Sequence, residues 1–225
     1  MGFWSSVGNA ISSVCSAAVD VVSSVASSIG SSLAKAATNF LEIAGPYIGA
    51  ISSIIRIIGV FLDVLTPNDK PEELGAKAMQ AEKKPEDFDS NNDYIAYLSN
   101  DIALDTEKFN NATDGEKMAF TAVGSSITLK GIEEVKGFDI PLTTWLSLAR
   151  LKLDKNTDAK EVNTILDTFK EDKLTDFSGY VEGKLDTNKE LEVGDTLVNM
   201  YQELEPTLSK AEIEQKVIQM EKGTL

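Results

Sequence analysis

Apolar residues recur along the first forty positions at steps of four, three and four: Val7, Ile11, Val14, Ala18, Val22, Val25, Ile29, Leu33, Ala36 and Phe40. The steps form an eleven-residue repeat with a period of about 3.67 residues, close to the helical 3.6. The spacing predicts one nearly straight amphipathic helix, about 50 Å long at about 1.5 Å per residue. Its opposite face carries Asn9, Ser12, Ser16, Ser23, Ser27 and Ser31, polar but almost uncharged. A surface helix ordinarily has Glu and Lys there. Serine and valine are middling helix formers, so packing or a membrane must stabilise this segment.

Gly45 and Pro46 interrupt the pattern, because proline pushes its predecessor out of the helical region and glycine suits a helix end. Residues 46–65 follow as a second apolar segment, near the length that spans a bilayer. Gly45, Gly49, Ser52, Arg56, Gly59 and Asp63 make one narrow small-or-polar stripe on it, and Ile51, Ile54, Ile55, Ile58, Phe61 and Leu62 cover the rest. Arg56 would cost about 3 kcal/mol at the centre of an isolated spanning helix. A simple anchor is therefore disfavoured, and a helical hairpin with the two stripes facing each other is favoured.

Pro67, Pro71, Pro85 and a dense run of charges mark 67–92 as a linker around one short helical stretch. Beyond it the pattern is helical. Capping boxes are predicted at Thr113–Glu116, Thr187–Glu190 and Ser209–Glu212, where side chains satisfy the first free backbone donors. Pro141 suits a first turn, and Thr157 or Asp158 opens another helix. The stretch 127–135 is also compatible with a short strand. The fold class read from the sequence is all-α: an apolar N-terminal helical hairpin (1–66), a charged linker (67–92) and an acidic helical bundle (93–225).

Charge sharpens the division. Lys35, Arg56, Asp20, Glu42 and Asp63 are the only charged side chains before Pro67, leaving 19 basic and 33 acidic residues in the remainder of a chain of net charge −15. No basic cluster exists to release counterions from a phosphate backbone, which argues against nucleic acid. Histidine is absent and Cys15 is the single cysteine, so Ser-His-Asp, Cys-His and multi-cysteine zinc sites are excluded within the chain. Asp87–Asp93 and Asp154–Asp158 resemble the start of a calcium loop but lack its sixth-position glycine and twelfth-position glutamate. These readings predict no enzyme, no metal and no cofactor. The start Met1-Gly2-Phe3-Trp4 has no positive region, which predicts no classical secretory signal. Trp4, beside Phe3, reads as an interfacial anchor.

An apolar helical hairpin on an acidic body resembles, in general organisation, pore-forming bacterial toxins and effectors. The resemblance implies a secreted or delivered protein whose residues 1–66 meet a lipid membrane and whose active state is membrane-associated. The residues expected to insert are Trp4, Val7, Ile11, Val14, Val22, Val25, Ile29, Leu33, Phe40, Ile51, Ile54, Ile55, Ile58, Phe61 and Leu62, with Arg56 and Asp63 as partners among them. The same pattern suits a structural protein, in which the arm is a buried core hairpin, the seam of a homo-oligomer, or a dock into a secretion or injection apparatus.

Overall fold

The structure, a computed structural model, describes residues 3–151 and 158–221, with side chains from Ser12 onward. It is all-α, with no strand among the described residues. In chain order the helices are α1 (Phe3–Ser24), α2 (Ala26–Ile29), α3 (Ser31–Ala44), α4 (Ile48–Phe61), α5 (Pro71–Gln80), α6 (Asn91–Asn100), α7 (Thr106–Asn110), α8 (Asp114–Lys136), α9 (Leu142–Arg150), α10 (Ala159–Thr168), α11 (Lys173–Val181), α12 (Thr187–Leu204) and α13 (Lys210–Glu221). The stretch 127–135 lies within α8 and is not a strand. The chain forms two compact units, Met1–Gly137 and Phe138–Leu225. The division falls at Gly137 rather than at 66 or 92, because the apolar segment needs α8 to pack against.

In the first unit α8 is the axle. Helices α1, α3, α4, α5 and α6 all pack on it, and 14 of its 23 residues are buried, on every side of the helix. A helix buried all round carries no amphipathic stripe. Beside the buried Phe120, Ile127, Leu129 and Ile132 it presents small residues to its neighbours. A β-carbon on Gly115 would lie 2.9 Å from that of Ala17 in α1. The Ser125 hydroxyl donates to that of Ser52 in α4 at 3.0 Å. A β-carbon on Gly59 of α4 would lie 3.0 Å from the Thr128 methyl, and one on Gly131 would lie 2.8 Å from Ile95 of α6. The tightest approach is to α5. There a β-carbon on Gly124 would overlap the Pro71 carbonyl, and one on Gly75 would overlap the Phe120 carbonyl.

The long N-terminal helix expected from the eleven-residue repeat is interrupted. The Val25 amide is shared between the Val21 and Val22 carbonyls, each at 3.3 Å, and Gly30 takes φ +88°, a conformation cheap only for glycine. The chain turns there, so that α1 and α3 pack on each other and on α8. Gly30 falls on the polar side of the repeat, where hydrophobic periodicity cannot register a turn. The break at Gly45 is as the sequence indicates, with φ +45° and a single 3₁₀ turn over Gly45–Tyr47 leading into α4. The small-residue stripe of α4 faces α8 through Ser52 and Gly59, not a second stripe across a hairpin.

In the second unit α9–α13 enclose Trp145, Leu148, Ile165, Phe169, Phe177, Leu197 and Tyr201. The capping boxes at Thr113 and Ser209 form, with Glu116 and Glu212 accepting back from the Thr113 and Ser209 amides. These hydrogen bonds hold both carboxyls below the usual carboxylate range. At α12 the cap is one residue earlier than expected: Asp186 accepts from the Asn188 and Lys189 amides, and Thr187 is already helical. Pro141 precedes α9 as its cap, and Asp158 caps α10.

The α5–α8 crossing yields a stability prediction. Gly124→Ala is expected to lower stability by about 2 kcal/mol or more, since the obstructing atoms are backbone and cannot step aside. Gly49→Ala, in α4 with nothing within 4 Å of the new carbon, is expected to raise it by up to about 1 kcal/mol through helix propensity. Urea denaturation of the two variants beside the wild type checks both signs.

Candidate functional site

The residues expected to insert into a membrane fall into three groups. Trp4, Val7 and Ile11 have side chains outside the described residues, as does most of the calcium-like stretch at 154–158. Val22, Ile29, Leu33, Phe40, Ile51, Ile54, Ile55 and Ile58 are buried in the core of the first unit. Val14, Val25 and Leu62 are half-buried, and Phe61 is 46% exposed. Eight of the residues expected to insert are thus core positions of the first unit, on helices α1, α3 and α4, which pack on α8, and on α2, which packs on α3 and α5.

An apolar face remains outside. Ile43 (42% exposed), Tyr47 (45%) and Phe61 lie on the solvent side of the α3–α4 segment, with exposed Ala50 and half-buried Ile57 between Tyr47 and Phe61. Ile43 precedes the turn at Gly45, and from Tyr47 through α4 the exposed positions Tyr47, Ala50 and Phe61 are interrupted by buried Ile54. Hydrophobic patterning alone missed Ile43 and Tyr47, because they sit off the strongest stripe. The signal that could have found them is the absence of charge from 43 to 55. Among the described residues Ser31–Phe61 is the one helical stretch long and apolar enough to cross a membrane, and 39% of its most apolar window is buried.

Arg56 and Asp63 are not partners. The Arg56 guanidinium donates to the Asp69 carbonyl through Nε at 2.8 Å and to the Pro67 carbonyl at 2.6 Å, tying α4 to the turn before α5. Asp63 is exposed, in a left-handed conformation at φ +57°. It ends α4, where the Val64 and Leu65 amides turn back to the Gly59 carbonyl. So the one arginine of the apolar segment is satisfied by backbone acceptors at its end rather than by a buried ion pair.

The acidic motifs have local roles. Asp87 accepts from the Lys84 amide at 2.8 Å, and Asp93 is joined to the Ser90 cap at 2.7 Å. Among the described residues no group of three or more Asp, Glu, Cys or His side chains is arranged to hold a metal. Cys15 is half-buried, with its thiol 3.6 Å from the Met118 sulfur of α8. In the second unit Lys216 lies 4.1 Å over the Tyr201 ring and pairs with Glu205 at 2.6 Å and Glu161 at 3.1 Å, while the Tyr201 hydroxyl donates to Glu161 at 2.6 Å. Burial, then the Glu161 carboxylate, pushes the Tyr201 phenol far above its ordinary range, so it stays a neutral donor. This network fastens α10, α12 and α13 together.

No protein-family model, curated protein or solved structure matches the chain.

Replacing Arg56 by Met should leave the fold intact and lower its stability by about 1.5 kcal/mol, the scale of a charge-assisted hydrogen bond. Asp63→Gly should raise it by up to about 1 kcal/mol, by removing the left-handed strain. Thermal melts of each single variant, followed by circular dichroism, check the opposite signs.

Proposed function

We propose that the chain is a non-enzymatic, membrane-inserting protein whose N-terminal helices are stored around α8 in the soluble state. The α3–α4 segment is the inserting hairpin, and the acidic helical remainder keeps the protein soluble during delivery to a target bilayer. The observation that carries this reading is the incomplete burial of Ser31–Phe61, a stretch of spanning length and composition. An ordinary core segment of this apolarity has its remaining face cut with charges. Here that side carries Ile43, Tyr47 and Phe61, with Lys35, Glu42 and Arg56 the three charges of the stretch.

Energetics suit an exchange between the two environments. Each buried Val, Ile, Leu or Phe of the segment is stabilised by about 1.5–3 kcal/mol wherever it leaves water. Packing on α8 already supplies that term, so insertion gains mainly from the face left outside. The bilayer replaces α8, and the Ser52 hydroxyl must then find a new partner. Arg56 lies one turn from the end of α4 and can keep its side chain at the interface by snorkelling. A chain of net charge −15 has no electrostatic attraction to anionic headgroups. The reading therefore favours apolar insertion over charge-driven adsorption.

The same exposed face supports a second reading, a structural protein that self-associates or docks through α3–α4. Its favouring observation is that Ile29, Leu33, Phe40 and Ile55 are already buried within one chain, while among the described large apolar residues of α3–α4 Ile43, Tyr47 and Phe61 stay exposed for contact.

Flotation and dye release with phosphatidylcholine vesicles, with and without phosphatidylglycerol, test the two readings on the full chain. Insertion predicts binding and release by the wild type, reduced at least tenfold in an Ile43→Glu/Phe61→Glu variant that melts as the wild type does. Wild-type protein that stays in the aqueous fraction with every vesicle would overturn the membrane reading. If it also sediments as an oligomer that the double variant dissolves, the assembly reading stands in its place.

A further inference from the structure

The second unit carries an apolar surface that its own core does not use. Val193, Leu197, Met200 and Tyr201 are the buried side of α12. A second line on the same helix, Leu191, Gly194 and Val198, faces a groove of about 560 Å³ bounded across from it by Val217 and Ile218 of α13. Leu191 is 62% exposed and Ile218 43%, so the groove is open, with this apolar line set among polar side chains that include Asn199 and Gln202. Tyr180 of α11 lies beneath, its hydroxyl 3.3 Å from the Val217 carbonyl to which it donates. Burial pushes that phenol up to about 12, so the floor is neutral at ordinary pH.

Gly194 is the informative residue. It stands in the middle of an eighteen-residue helix, where glycine costs about 1 kcal/mol relative to alanine. Among the described residues nothing inside the unit requires it. A β-carbon there would come no closer than 3.6 Å to any atom, ordinary contact with the Tyr180 hydroxyl. This contrasts with Gly75, Gly115, Gly124 and Gly131 in the first unit, each of which a neighbour holds at close quarters. The space above Gly194 is therefore left open toward the groove rather than taken by the fold.

The rim has one sign. Glu190, Asp195, Glu214 and Glu221 line it, and the one basic side chain among the described lining residues, Lys210, is 3.6 Å from Glu214. A second copy of the chain would bring the same acidic rim against this one, which repels, and an anionic bilayer would be repelled likewise. The flanks of the occupant must be basic and its centre apolar. The groove runs from Glu190 to Gln202 along α12, about 18 Å of helix at about 1.5 Å per residue. That length seats about twelve residues of a third helix, with large side chains repeating every three to four residues.

We propose that the α12–α13 groove is the docking site for a basic amphipathic helix of a partner protein, with one large apolar side chain seated over Gly194 between Leu191 and Val198. The assignment rests on the second unit alone and is independent of what α3–α4 does at a membrane.

The test uses the full chain and a fluorescein-labelled, fourteen-residue Leu/Lys peptide with leucines at helical spacing. An isomer of the same composition without the apolar face serves as control. Fluorescence anisotropy should give saturable binding to the wild type, at least tenfold weaker for the isomer. Affinity should fall at least tenfold in Gly194→Leu and in Leu191→Asp. Both positions are accessible, and melting curves check that the unit stays folded. Gly194→Ala adds a check that a packing role would not pass: it should weaken the peptide while raising the melting temperature. Equal affinity for the isomer, or unchanged affinity in Gly194→Leu and Leu191→Asp, would overturn the proposal by reducing the interaction to general attraction toward an acidic protein. Sedimentation of the wild type as a dimer that Ile218→Asp dissolves would overturn it in favour of a second copy.

Discussion

Where α5 crosses α8, neither helix has room for a β-carbon: Gly75 faces the Phe120 carbonyl and Gly124 faces the Pro71 carbonyl. Contact this close between backbones needs glycine on both sides, and it draws α5 into a space too small for ordinary side chains. The rest of the first unit follows from it. With α5 pressed against one side, α8 is left to meet α1, α3, α4 and α6 on the others, again through Gly115, Ser125, Thr128 and Gly131. The outer helices bring large aliphatic side chains, and the inner one interleaves Phe120, Ile127, Leu129 and Ile132 with small and hydroxylic residues. Serine and threonine are tolerated at the centre because each hydroxyl has a partner: Ser125 with Ser52, and Thr128 with the Gly124 carbonyl of the preceding turn.

This arrangement explains what the sequence made legible. The apolar stripes of α3 and α4 are large, periodic and aliphatic, and reading them identified buried positions such as Leu33, Phe40, Ile54 and Ile58. The helical character of the remainder was equally plain, since caps at Thr113 and Ser209 are local chemistry between residues three apart. The partner of those stripes was not legible. α8 lacks an apolar face of its own, and α5 sits among prolines and charges that mark a linker by composition. Glycine at 75 and 124 carries no hydrophobic signal, yet it brings the two helices together. A turn at Gly30 was hidden for a related reason: the repeat continues across it without a missed step.

The two units solve the problem of cohesion differently. The first brings its helices together through glycine and buries hydroxyls such as Ser52, Ser125 and Thr128 between them. The second encloses an apolar core around Trp145 and Phe177 and adds ion pairs between helices, among them Lys216, shared among Tyr201, Glu161 and Glu205. A half-buried ion pair of this kind sets geometry more than it adds stability, because desolvation offsets much of the attraction. Its consequence is a fixed relation between α12 and α13. The spacing of those helices bounds the groove above Gly194, so a half-buried network bears on the surface beside it.

The surfaces left apolar in the two units differ in the charge around them, and this separates what they can bind. Around Ile43, Tyr47 and Phe61 the sequence is nearly free of charge, so contact there is governed by removal of apolar area from water and selects weakly among apolar environments. Around Leu191 and Ile218 four carboxylates stand at the rim. There an occupant must supply both apolar side chains and cations in register, and like-charged surfaces are turned away at a cost of several kcal/mol. The acidic balance of the chain therefore has two effects. It leaves contact at Ile43, Tyr47 and Phe61 to apolar area alone, and it makes a basic helix the occupant that the groove of the second unit suits under the proposal above.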